Sequence, residues 1–193
     1  MHKGRVEAFS DGVIAIIITI MVLELKTPAG TTMADLLDRR SIAFCYVLSF
    51  LYLAIYWTNH HHLLQSIQHV NGAILWANNY LLFWLSLIPF VTAWAGEHDF
   101  ASLPTALYGF VLFMAAIAYY ILERVLIAHE GKSSTLANAI GRDFKGKISV
   151  IFYGFAVPLA FYAPLVSVGI YAIMAIAWIV PDKRIERQFH QPS

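Results

Sequence analysis

The sequence predicts an all-α integral membrane protein with six transmembrane helices and both termini in the cytoplasm. Three observations carry that reading. The chain has 193 residues, 59% hydrophobic and only 13% charged, against roughly 25% charged in ordinary soluble domains. Its apolar residues fall into runs close to the length of about 20 residues that crosses a bilayer. Its basic residues sort to one side of those runs.

The first span covers Val6–Leu25, the second Ile42–Asn59, the third Tyr80–Ala95 and the fourth Leu103–Leu122. The next apolar region, Ile148–Val180, is too long for one crossing. As a straight helix it would measure roughly 50 Å, against a hydrocarbon core of about 30 Å. Pro158 and Pro164 interrupt it, and Pro164 suits a turn because proline disfavours helix just before it. Two short spans result, Ile148–Ala163 and Leu165–Val180.

Six spans with a cytoplasmic N-terminus put Lys3, Arg5, Arg124, Lys132, Arg142, Lys145, Lys147, Lys183, Arg184 and Arg187 inside. Only Lys26, Arg39 and Arg40 lie outside. That bias satisfies the positive-inside rule, whereas five spans would put the basic C-terminal segment outside. The loops agree. Thr27–Arg40 reads as an outer loop with a turn at Pro28-Ala29-Gly30 and a short interfacial helix over Ala34–Arg39. Gly96–Ser102 reads as an outer turn. Ala128–Lys147 reads as a polar, partly helical cytoplasmic loop, and the segment after Pro181 as a short charged tail. Trp57, Trp76, Trp94 and Trp178 lie near span ends, where indole rings commonly anchor at the interface. The whole chain, 1–193, is one transmembrane domain with no internal repeat.

Several classes of function are set aside on composition. A net charge of +1 and basic residues confined to loops beside spans give no nucleic-acid surface. The single cysteine, Cys45, pairs with nothing in the chain and fits no zinc spacing, so it reads as a small buried hydrophobe. No cleavable leader is read, because Asp11 interrupts the first apolar run and no small-residue cleavage site follows. There is no nucleophile elbow, phosphate loop or metal-ligand pair, so no enzyme activity and no cofactor are expected. The potassium-filter signature Thr-Val-Gly-Tyr-Gly is absent.

The first span carries the most informative pattern. Gly12, Ile16, Thr19, Ile20 and Leu23 share one helical stripe. Copies of it around an axis would present Ile16, Ile20 and Leu23 as apolar rings, which gate by dewetting. Thr19 would add a ring of hydroxyls. Every side of this helix is apolar, however, and the same stripe also fits ordinary lipid- or helix-facing surface. Glu24, at the outer end, reads either as an acidic ring that concentrates cations or as a solvated carboxylate.

Asp11 lies two to three turns inside the span and needs a partner in a low dielectric. Arg5 is nearly two turns away. Ser10, the histidines after Trp57-Thr58-Asn59, and Asn78-Asn79 at the start of the third span lie at the same depth. They permit a network of Asp11 and Ser10 with His60 or His61 and an asparagine. Such a network is a proton relay or ion site, or it is a clamp that fixes the helices. Satisfied buried networks specify packing, which favours the clamp. Successive residues on a helix point about 100° apart, so His60, His61 and His62 share no face and no metal site is expected. Pro89 marks a kink in the third span or the approach of its end.

The run Arg5-x-x-x-Phe9-Ser10-Asp11, followed by Ile16 and Thr19, resembles the transmembrane protein 175 family of potassium channels over essentially the whole chain. The histidine-rich end of the second span and the asparagine-rich start of the third are similar too. The resemblance implies a homotetramer in the cell membrane, a six-helix repeat per subunit and a central pore lined by the first helix. It implies potassium as the permeant ion, modestly preferred over sodium. By motif position, Ile16 matches the narrow constriction and Ile20 and Leu23 the further apolar rings. Thr19 matches the hydroxyl linked to potassium preference. Arg5, Phe9, Ser10 and Asp11 match the signature whose polar contacts hold the pore helix. Isoleucine in place of leucine at the narrowest ring is a minor change. The competing expectations are a proton-coupled transporter using Asp11 and His60 or His61, and a non-conducting scaffold. The lack of an inverted repeat and of charge near mid-membrane argues against the transporter.

Overall fold

The computed structural model describes residues 3–67, 69–131, 134, 137 and 144–179. These residues form helices and no β-strand: α1 (Lys3–Leu23), α2 (Met33–Leu37), α3 (Arg40–Gln65), α4 (Gly72–Ser86), α5 (Ile88–Glu97), α6 (Ser102–Glu130), α7 (Phe144–Leu159) and α8 (Pro164–Ile179). Four helical stretches are long and apolar enough to cross a membrane: α1, α3, the combined α4–α5 stretch Gly72–Glu97, and α6. At 16 residues each, α7 and α8 fall just short of the usual span of about 17–25.

The second, third and fourth spans are longer than hydropathy alone suggests. α3 continues through His60–His62 to Gln65, and α6 through Arg124 to Glu130, because polar residues end the hydropathy signal without breaking a helix, as only Pro and Gly strongly do. The third span begins at Gly72, where the Asn71 side chain caps the Ile74 N–H at 2.9 Å. It breaks at Leu87 and resumes with Pro89 in the first turn of α5, where a missing N–H costs nothing. Pro89 thus divides the span rather than ending it. Pro164 is the first residue of α8, and residues 160–163 form the turn from α7. The interfacial helix is Met33–Leu37, closed by a capping box between Thr32 and Asp35. The Thr32 hydroxyl and backbone N–H hold the Asp35 carboxyl below its usual range. Much of the 128–147 loop and the tail after Pro181 lie outside the described residues.

The bundle is tied by hydroxyls, as expected where lipid supplies no hydrophobic drive between helices. Tyr108 donates to Ser49 at 2.9 Å, Ser49 to Thr92 at 2.7 Å, and Thr92 to the Ile88 carbonyl at 2.6 Å. A second line runs from Tyr153 to Tyr52 at 3.0 Å and on to the Tyr171 carbonyl at 2.6 Å. Two glycines permit close approach. A Cβ on Gly96 would lie 2.6 Å from the Ile42 Cα, and one on Gly109 would lie 1.9 Å from the Tyr171 hydroxyl. Tyr171 is fully buried against Tyr108 and Tyr153 and has little room to retreat. Gly109→Ala is therefore expected to destabilise the fold by about 1–3 kcal/mol, the range for overpacking a core. A thermal unfolding midpoint in detergent equal to the parent's would refute this.

Candidate functional site: the first helix and its polar clamp

Packing on α3, α4 and α5 divides α1 into three stripes. The first meets α4 and α5: Val6, Ser10, Ile14, Ile17 and Met21 are all buried. Ser10 is wholly enclosed and begins the clamp. His60 Nε2–H donates to Asn78 Oδ1 at 2.6 Å, the Asn78 amide donates to Ser10 Oγ at 3.0 Å, and Ser10 donates to the Val6 carbonyl at 2.8 Å. These directions give every group a partner. His60 and Asn78 are as buried as Ser10, so three helices are joined by one satisfied network.

The second stripe meets α3 in an antiparallel register. Lys3, Glu7 and Asp11, spaced by four, face Gln65, His61 and Trp57, also spaced by four. Lys3 Nζ donates to the Gln65 carbonyl at 3.1 Å. His61 Nδ1 meets Glu7 Oε1 at 3.1 Å, and Gln65 Nε2 meets His61 Nε2 at 2.8 Å. A neutral imidazole protonated at Nδ1 satisfies both contacts. Trp57 Nε1–H donates to Asp11 Oδ1 at 2.9 Å, and its ring stacks on His61 with centroids 6.0 Å apart.

The structure thus joins Ser10, His60 and Asn78 as the sequence suggests but gives Asp11 a different partner, the Trp57 indole. Trp57 reads from sequence as an interface anchor, and Glu7 was missed. The shared i, i+4 spacing of 3-7-11 and 57-61-65 was the available signal. Arg5, Phe9 and Asn79 stand outside the network. All three are exposed, and Arg5 has no hydrogen bond or ion pair among the described residues.

The third stripe is uncovered. Phe9, Gly12, Ile16, Thr19, Ile20 and Leu23 are exposed, Ile16 at 59% and Leu23 at 79%. Thr19 Oγ1 donates to the Ile16 carbonyl at 2.8 Å. Its only proton is used within the helix, so its lone pairs are what it offers outward. Ile16, Ile20 and Glu24 border an open groove whose other wall is Ser86, Pro89, Phe90 and Ala93 of α4–α5. Among the described residues, no group of three or more His, Cys, Asp or Glu side chains is placed to hold a metal ion.

The family described as "Endosomal/lysosomal potassium channel TMEM175" matches residues 5–89, the segment that contains the clamp. A potassium channel from Chryseobacterium sp. (strain P1-3) is 53% identical over 191 residues, covering 99% of this chain and 100% of that protein. The chain belongs to the TMEM175 family. A potassium channel from Chamaesiphon minutus is 29% identical over 191 residues, covering 91% of this chain and 92% of the relative. A crystal structure described as a lysosomal potassium-selective channel TMEM175 homolog from Chamaesiphon minutus superimposes with a TM-score of 0.81. Its identity is 28%, with 92% of this chain and 96% of that one covered. The all-helical bundle is therefore that of a TMEM175 membrane channel, and the family assignment supports a potassium-channel function.

Proposed function

We propose that this chain assembles as a homotetramer around a central potassium pathway lined by α1, in the cell membrane and with both termini cytoplasmic. One observation carries the reading: two stripes of α1 are packed or hydrogen-bonded within the subunit, and the third, running from Phe9 to Leu23, is free. Apolar helix surface meets lipid at no cost, but a stripe that also carries Gly12 and Thr19 suits close contact between copies. In this arrangement Ile16 is the constriction and Ile20 and Leu23 are further apolar rings. The open groove beside Phe90 receives the α1 of the adjacent subunit. With α7 and α8 as short crossings, each subunit has six spans.

Thr19 favours cations on chemical grounds. With its proton held by the Ile16 carbonyl, a ring of such hydroxyls presents oxygens that replace part of a cation's hydration shell and offers no donor to an anion. This gives modest potassium preference without a carbonyl filter. The clamp sets the rotation of α1 and so aims the stripe. A proton-coupled transporter built on Asp11 and a histidine fits less well, since Asp11 bonds Trp57 while His60 bonds Asn78.

The deciding experiment is potassium flux from liposomes loaded with a potassium gradient. Folded tetramers that carry no flux would sink the channel reading. Thr19→Ala is expected to keep conduction while lowering potassium-over-sodium preference, seen as a shifted reversal potential under mixed salts. An unchanged reversal potential would remove Thr19 from that role.

A further inference from the structure

We infer that Glu97 is a positioning residue for permeation. It draws Lys26 away from Glu24 and so preserves the negative field at the outer mouth. This inference rests on the proposed pore and its sidedness.

Glu24 and Lys26 follow α1 directly, in a turn held by Leu25 N–H to the Val22 carbonyl at 3.1 Å and Lys26 N–H to the Glu24 carbonyl at 2.9 Å. Glu24 is the nearest carboxylate to Lys26 in sequence, yet the ammonium binds Glu97 at the end of α5, 71 residues away. Glu24 has no hydrogen bond or ion pair among the described residues, and it borders the groove beside Ile20.

The placement of Glu97 is informative. It is the last residue of α5, where the helix dipole disfavours a carboxylate. The close contact of Gly96 with Ile42 fixes the height of that helix end. The following turn holds Asp99 and Phe100 at φ of 47° and 60°, a conformation disfavoured for a bulky side chain. Asp99 accepts a hydrogen bond from Ser41 at 2.6 Å. The end of α5 is thus anchored on α3, and Glu97 is held out as a fixed counter-charge for the turn after α1.

Exposed ion pairs contribute little to stability, and the consequence here is electrostatic. Glu24, Lys26 and Glu97 together leave one net negative charge per subunit at the mouth. Loss of the Glu97 charge brings that to zero and frees Lys26 to neutralise Glu24 or face the axis. Charge of one sign at a mouth raises local cation concentration by roughly tenfold or more at low ionic strength.

The test is current through Glu97→Gln in planar bilayers, with potassium entering from the Glu97 side, normalised to reconstituted protein. At about 0.1 M salt the expected result is at least a twofold lower current than wild type. The difference closes at about 1 M, where the screening length falls to about 3 Å. Lys26→Gln/Glu97→Gln lacks the same bridge but restores wild-type current, because Glu24 again stands unopposed. Glu97→Asp keeps the charge and the current. Equal currents for wild type and Glu97→Gln at low salt would overturn the inference. So would a double variant as impaired as the single, because Glu97 would then be only a structural tie. Wild-type protein that carries no potassium at all would instead overturn the proposed pore.

Discussion

Ile16→Asn is expected to raise the potassium current roughly tenfold at matched protein density, the effect of lowering a barrier by about 1.4 kcal/mol. Ile16 is 59% exposed on the free stripe of α1, and its substitution disturbs no contact of the clamp or core. In the proposed tetramer it forms an apolar ring from which water withdraws, and an ion crossing that ring loses hydration with nothing in exchange. Asparagine is both polar and smaller than isoleucine, so the ring is wetted and widened together. Bilayer currents at known protein content provide the measurement. Equal or lower current, with reversal potential unchanged, would remove Ile16 as the constriction.

The second large effect is expected at Asn78. Asn78→Leu keeps the branching at Cγ, at the cost of some added bulk, but removes the acceptor for His60 and the donor to Ser10, both buried. A hydrogen bond between membrane helices is worth on average only about 0.6 kcal/mol. Leaving the buried imidazole N–H unpaired costs more, about 1–3 kcal/mol, and that cost decides the outcome. The variant is expected to unfold at a lower temperature in detergent and to conduct poorly, because α1 loses the contact that sets its rotation. Asn78→Asp retains an oxygen for His60 Nε2–H and is expected to recover part of the loss. An unchanged melting midpoint for Asn78→Leu would show that packing alone positions α1.

Much of this protein was legible in its residues. Low charge and long apolar runs dictate an all-helical membrane bundle, since helices satisfy their own backbone in hydrocarbon. Pro164 starts α8, as its fixed φ and missing N–H require. The Arg5-x-x-x-Phe9-Ser10-Asp11 run carried the family, and depth placed Ser10 beside a histidine and an asparagine, while the choice of His60 and Asn78 and the pairing of Asp11 with Trp57 needed the structure. Helix ends were less legible. Hydropathy reports the hydrocarbon slab and not the helix, so α3 and α6 extend past their apolar cores, and α4 starts earlier.

The rotation of α1 needed tertiary structure. All its faces are apolar, and lipid does not distinguish them as water would. What sets the rotation is polar pairing with elements far along the chain: Lys3, Glu7 and Asp11 on Gln65, His61 and Trp57, and Ser10 on Asn78. Those partners depend on helix register and crossing, which the shared i, i+4 spacing of the two sets does not fix by itself. The free stripe with Ile16, Thr19, Ile20 and Leu23 is what remains once they have formed. The same reason hid the Lys26–Glu97 pair, whose members are neighbours only because α5 ends beside the turn that follows α1.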